Sequence, residues 1–316
     1  MLLTLKEVLI LPALITHYLH ARIIFDNSDV QSLNKKAFLL GAQGPDFLYY
    51  HRAAPLLMRG KPLRSLGVQM HAIKPDLLFS KFAQYCTLHK ADNVARSYAA
   101  GFLCHFLLDA DAHPYVYAKQ ARIIEDEHIK HLKSCVHFRV EHALDAIMLE
   151  RIDKMSPAEF DYSAAVTDDE QVLIGCAKAA AYVINSLMSA HVTPPQLIQG
   201  YRDLLLVQQL TCDGSGIKHT LVSGVERIAL CPRTFSSFVR TKRTDNAQDY
   251  ANFSHRLWQN PYDKHDVGNV CDFAQLLNNS CESSAKIILQ YCNQLSNGET
   301  DIVCTGNRST KTGLKM

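Results

Sequence analysis

The chain has no apolar run long enough to cross a bilayer, which takes about 18 to 20 residues. Its first twenty residues, MLLTLKEVLILPALITHYLH, come nearest, but Lys6 and Glu7 interrupt them. That segment also has no basic leader and no Ala-x-Ala-like cleavage site, so it does not read as a signal peptide. Period-two alternation of apolar and polar residues is not sustained anywhere, which argues against a sheet protein. Formal net charge is only +2, so no global field points to nucleic acid or an anionic membrane. The ten cysteines are scattered with no CxxC pair, and Cys104, Cys135 and Cys176 fall in helical apolar patterns. That usage suits reduced, buried thiols and a cytoplasmic location better than a disulfide framework. No internal repeat is present, and Trp258 is the single tryptophan.

What remains is an ordinary globular composition, 47% hydrophobic and 20% charged over 316 residues, enough for a large core. The 3.6-residue period is clear from Asp76 to Leu88 and from Asn93 to Leu108, and helices are also expected over Val8–Ile24, Ser134–Ile152, Asp168–Ala190, Pro195–Gln209 and Asp272–Leu289. Two helix boundaries are read from proline: an end at His113-Pro114 and a start at Ser156-Pro157. Residues 51–70 are basic and turn-rich, and 212–224 read as a loop. The fold class is therefore all-α, a multi-helix bundle. We expect residues 1–160 to form a helical core, 161–296 to add helices to one continuous domain, and 297–316 to be a flexible tail.

The chemistry concentrates in Gly101–Tyr117, GFLCHFLLDADAHPYVY. His105, Asp109 and His113 are spaced i, i+4, i+8, so they stay near one face of an apolar helix. Neutral imidazoles and a carboxylate are what zinc accepts. From this stretch alone, a structural His–Asp–His hydrogen-bond chain reads equally well. One helix later, Cys135–Met148 repeats the pattern with His137 and Glu141, and Asp145 continues the row. Facing helices that each present such a face are how bundle proteins build metal sites. Asp46 follows the Gly44-Pro45 turn, and His17 and His71 stand singly; either histidine taken alone is an ordinary core or surface residue. Together, His17, Asp46, His71, His105, Asp109, His113, His137 and Glu141 are eight nitrogen and oxygen donors. That is too many for one tetrahedral ion and suits two or three zinc ions.

Other signals are weaker. The adjacent His265-Asp266 lies in a turn-rich stretch and reads as a solvated loop. Arg233, Arg240, Lys242 and Arg243, with Phe235 and Phe238, read as a charged connection rather than a nucleic-acid patch. Gly214–Gly216 has no strand–turn–helix context for phosphate binding.

The motifs THY at Thr16–Tyr18, GPDF at Gly44–Phe47, the lone His71, HFLLDADAHPY at His105–Tyr115 and HFRVE at His137–Glu141 follow in order. In this the chain resembles the zinc-dependent phospholipase C family, relatives of the S1/P1 zinc nucleases, and in particular its intracellular bacterial members. RLWQNP at Arg256–Pro261 resembles their C-terminal part. The resemblance implies an all-α bundle around a zinc cluster and a metal-dependent hydrolase acting on a phospholipid or other phosphodiester. It implies that Asp109 bridges two metals, that His71 and His105 join it at one ion, and that His113, His137 and Glu141 hold another. Asp46 becomes a ligand and general base. Secreted members complete a third site with an N-terminal tryptophan beside the residue matching His17. Here Leu11-Pro12-Ala13 stands where intracellular relatives begin, so residues 1–10 read as an extension. The alternatives are a phosphodiesterase acting on a nucleotide or other soluble phosphoester, and a non-catalytic protein whose helices a metal staples.

Overall fold

In a computed structural model, residues 14–52, 63–90, 92–129, 133–228, 239–241 and 248–316 are described. Among them the chain is all-α, as its patterning requires. Its helices are α1 (Ile15–Asn27), α2 (Lys35–Gly41), α3 (Phe47–Tyr50), α4 (Arg64–His71), α5 (Pro75–Leu88) and α6 (Asn93–Glu127). After these come α7 (Lys133–Asp153), α8 (Glu170–Leu187), α9 (Pro194–Thr211), α10 (Ile217–Ile228) and α11 (Phe273–Ser296). The only strands among the described residues are Cys212–Asp213 and Arg240–Thr241, paired in parallel.

The 35-residue α6 is the axis of the molecule, about 50 Å long at 1.5 Å per residue. Asp92 caps its start by accepting the Ala95 amide at 3.0 Å. α2 crosses it at backbone contact. A Cβ on Gly101 would stand 1.9 Å from the Phe38 carbonyl, and one on Gly41 2.3 Å from that of Tyr98. Only glycine on both helices allows that crossing, which delivers the Gly44–Phe47 turn to His105. α3 is then held by Phe47, whose ring stacks on Tyr201 of α9 at 3.9 Å and rests against Gly200.

Asp145 does not extend the donor row of α7. It lies fully buried and accepts the amides of Leu14, Ile15 and Thr16 at 2.7 to 3.1 Å, with the Thr16 hydroxyl at 2.7 Å. It therefore answers the unpaired N–H groups that open α1 and sets that helix, with His17, across α6 and α7.

Several boundaries differ from the sequence reading. α6 does not end at His113-Pro114 but runs 13 residues beyond the proline. Proline removes the N–H that would bond Ala110 four residues back. Here the Ala110 carbonyl instead accepts Arg308 Nη2 at 3.0 Å, so the helix continues with no orphaned group. Ser156-Pro157 opens a turn, in which Glu159 accepts both the amide and the hydroxyl of Ser156, rather than a helix. The stretch 212–224, read as a loop, instead enters α10 at Ile217.

The last stretch departs furthest from expectation. Residues 299–316 are ordered against the bundle rather than trailing from it. The Asp76 carboxylate accepts the Thr305 amide and hydroxyl at 2.9 and 2.6 Å, and Ser80 Oγ accepts the Ile302 amide at 2.8 Å. Glycine and polarity signalled flexibility, but hydrogen bonds to buried polar groups of α5 fix the segment. Of the 51–70 stretch read as turn-rich, residues 64–70 belong to α4. Residues 53–62, residues 1–10 and the Arg233–Arg243 cluster, save the backbone of Arg240, lie outside the described residues.

Candidate metal centre

Five elements bring the eight donors named from sequence into one cluster: His17 from α1, Asp46 at the start of α3, His71 at the end of α4, His105, Asp109 and His113 from α6, and His137 and Glu141 from α7. Asp109 is the hinge of the arrangement. Its Oδ2 lies 3.2 Å from His105 Nε2 and 3.7 Å from His71 Nε2, while Oδ1 faces His17 at 3.4 Å and His113 at 4.0 Å. On one side, His71 Nε2 stands 3.3 Å from both Asp46 Oδ1 and His105 Nε2. On the other, Glu141 Oε1 stands 3.4 Å from His113 Nε2 and 3.1 Å from His137 Nε2. His17 stacks on His105 with ring centroids 4.2 Å apart.

These spacings bear on what the cluster holds. Two donors bound at 2.0 to 2.1 Å to one tetrahedral zinc stand about 3.3 Å apart, close to most of the separations found, of which only His105–Asp109 and His137–Glu141 fall within ordinary hydrogen-bond length. Two further observations fit an ion. Glu141 Oε2 is buried and has no hydrogen-bond partner within the protein. In addition, three of the histidines turn Nδ1 outward onto an oxygen: His71 to Gly67 O at 2.8 Å, His113 to Thr310 O at 2.5 Å, and His137 to Gln120 Oε1 at 3.3 Å. That outer contact fixes the tautomer and leaves Nε2 as the free donor, the arrangement metal-binding histidines adopt. Gln120 is itself set by giving Nε2 to Lys133 O. The residues present thus fit zinc.

The protonation states show what this much burial demands. Burial opposes ionisation of Asp109, yet His105 and His113 outweigh it and hold the carboxyl far below its usual range. Glu141 is likewise held low against burial, by His137 and His113. Burial, reinforced by His105, drives His17 down to about 3, so its imidazole is neutral. Burial lowers His113 too, but Asp109 and Glu141 overcome it and push it up to about 10. Tyr49 and Tyr117 line the cluster, and burial together with the nearby carboxylates raises both hydroxyls well above their ordinary value, so they are neutral donors.

The Gly44-Pro45-Asp46 turn has a physical reason for its first residue. Gly44 has φ +51°, and a Cβ there would lie 2.2 Å from the His105 ring. The turn must press on that histidine to present Asp46, and only glycine permits it.

The His265-Asp266 pair and Trp258 are structural. Asp266 spends its oxygens on the Asn260 and Gly268 amides, and His265 is exposed in the same loop. Trp258 packs edge-on against Tyr115 at 5.2 Å and donates Nε1 to Cys271 O. Sequence reasoning missed Thr310, Gln120 and Gly67, because each serves through an amide or carbonyl oxygen that no motif encodes. For Thr310 an indirect signal exists: Pro114 within a helical pattern leaves the Ala110 carbonyl in need of a donor, and that donor is Arg308 in the same segment.

An all-α bundle with a buried histidine–carboxylate cluster inside it defines a class of metal-binding helical proteins. Residues 12–182, more than half of the chain, match the family described as zinc dependent phospholipase C, and the chain belongs to that family. No curated protein and no solved structure matches the chain. Among the described residues no helix is long and apolar enough to cross a membrane.

Proposed function

We propose that this protein is a zinc-dependent phosphodiester hydrolase of phospholipase C type, with two or three zinc ions held by the eight clustered donors. The carrying observation is Asp109: one fully ionised carboxylate turns its two oxygens toward two separate sets of histidines, so that one negative charge would serve two cation positions. His71, His105 and Asp46 would hold an ion with Asp109 Oδ2. His113, His137 and Glu141 would hold a second, and His17 belongs with His105 and Asp46 in a third, overlapping set.

When bound, zinc supplies Lewis-acid polarisation of a phosphodiester and a water whose pKa falls to about 7. The chain's own residues do the rest. Asp46 is the candidate general base, its carboxylate presented at the cluster's edge to take a proton from the attacking water. Tyr49 and Tyr117, held protonated, donate hydrogen bonds toward the phosphoryl oxygens. The packed bundle keeps the donors at fixed separations, so little reorganisation accompanies the reaction.

The test is metal analysis of the purified protein, followed by assay of the zinc-loaded form on phosphatidylcholine vesicles, bis-p-nitrophenyl phosphate and single-stranded DNA. Two or three zinc per chain with hydrolysis of a phosphodiester is the expected result. Bound zinc without turnover of any of the three, and a large loss of thermal stability on chelation, would instead make the cluster a staple for the helices.

A further inference from the structure

We infer that the C-terminal segment Asn307–Lys315, which lies outside the residues matching the family, is a working part of the metal centre. It acts as a strap whose main chain positions His113. The inference rests on His113 being a metal ligand.

The strap reaches the centre by a specific route. Its Thr310 carbonyl accepts His113 Nδ1 at 2.5 Å, and the Thr310 hydroxyl donates to the His71 carbonyl at 3.2 Å. One residue of the strap thus touches a histidine from each side of the cluster, and Thr310 is itself buried. With Nδ1 committed to that carbonyl, the His113 lone pair lies on Nε2, the atom 3.4 Å from Glu141.

The strap is held by the feature that makes α6 unusual. Pro114 leaves the Ala110 carbonyl without its helical donor, and Arg308 fills the gap with Nη2 while Nη1 pairs with Asp111 at 2.7 Å. Gly313, at φ +69°, lies directly over the same turn, where a Cβ would stand 2.6 Å from the Ala110 carbonyl and 3.0 Å from the Pro114 ring. The strap closes on itself through Ser309 N to Leu314 O and Gly313 N to Ser309 O, and Asn260 gives Nδ2 to Thr312 O. The proline in the metal-binding helix and the glycine in the tail are therefore two halves of one contact, and Thr310 is aimed at His113 by it.

Gly313→Val separates the strap from its seat without touching a residue of the cluster, and Arg308→Ala removes its other anchor. In competitive chelator titrations of the full chain, both variants are expected to weaken one zinc equivalent by about 10- to 100-fold, with the other equivalents unchanged. Arg308→Lys, which keeps one donor, falls between, and Val303→Ala, an exposed change in the same tail, binds as wild type. Proton NMR on histidine-labelled, zinc-loaded protein reads the His113 Nδ1–H directly, and in Gly313→Val that proton, no longer bonded to the Thr310 carbonyl, should move upfield and exchange faster with water. Unchanged zinc affinity and an unchanged Nδ1–H signal in both variants overturn the inference. So does loss of every zinc equivalent together with the helical circular dichroism, which would make the segment a general staple. Wild-type protein that binds no zinc overturns the proposed function itself, a result distinct from both.

Discussion

Two regions build the candidate centre by opposite means. The half from α1 to α7 contributes eight side chains whose chemical types announce themselves, because histidines and carboxylates are among the donors zinc accepts and five of the eight recur at helical spacing on α6 and α7. The C-terminal strap contributes a carbonyl, which every residue has, and a glycine whose importance lies in an absent Cβ. The first kind of contribution is written in residue identity. The second is written only in where the backbone passes. The strap's two anchors both answer a single residue of the first region, Pro114, so the regions depend on each other although only one looks functional.

The comparison breaks hardest at Asp109. If its two oxygens serve two ions, Asp109→Asn removes the charge that lets two cations sit close together. Bound zinc should then fall by more than one equivalent, and hydrolysis should drop on the order of 10³-fold or more. Asp46→Asn is the companion measurement, in which rate falls more than total metal. Full zinc occupancy in the Asp109 variant, read by metal analysis, would remove the bridging role and return His105–Asp109–His113 to the hydrogen-bond chain that its sequence equally allows.

A smaller effect separates side chains that bind from backbone that presents. Gly44→Ala should destabilise the protein by about 3 kcal/mol, since the new Cβ meets the His105 ring at 2.2 Å and the residue must hold φ +51°. Chemical denaturation of zinc-loaded and chelated protein checks this, and the loss should be greater with zinc, because the displaced ring is a donor. Equal losses would mean that the turn matters for packing alone.

These contrasts show how far the sequence carries. The helical class, α5, the first half of α6, α7, α8, α9 and α11 follow from apolar period and capping residues. His105, Asp109 and His113, and likewise His137 and Glu141, share a face because i, i+4 spacing on a helix is itself a geometric statement. His17, Asp46 and His71 are brought to them only by how α1, α3 and α4 pack on α6 and α7. Asp145 has that same spacing after Glu141 and yet is no part of the cluster, since its carboxylate is taken by the amides that open α1. Period alone cannot tell a ligand from a cap. Pro114 misled for a related reason. A helix ends at a proline only when nothing else satisfies the carbonyl it frees, and the satisfying group, Arg308, lies 198 residues away from Ala110. The tail's order is likewise nonlocal, set by Asp76 and Ser80 of α5.

The finest comparison is in the proton on His113, which both regions hold. Burial opposes that proton, whereas Asp109 and Glu141 from the helices, and then the Thr310 carbonyl from the strap, favour it and bring the metal-free group to about 10. An unfolded histidine titrates near 6.5. A pKa raised by folding means stability that is fully present below about 6.5 and lost as pH rises through about 10. The chelated protein should accordingly melt at progressively lower temperature between pH 6.5 and 10. Zinc needs the neutral imidazole, so loading at pH 8 should release at least one proton per chain, measured as the dependence of binding heat on buffer ionisation enthalpy. In Gly313→Val the stability loss should set in at lower pH, because one of the groups holding the proton has moved away. The proton released on loading at pH 8 should remain close to the wild-type value, since the two carboxylates still hold it there. A wild-type profile in that variant would assign the proton to the helices alone.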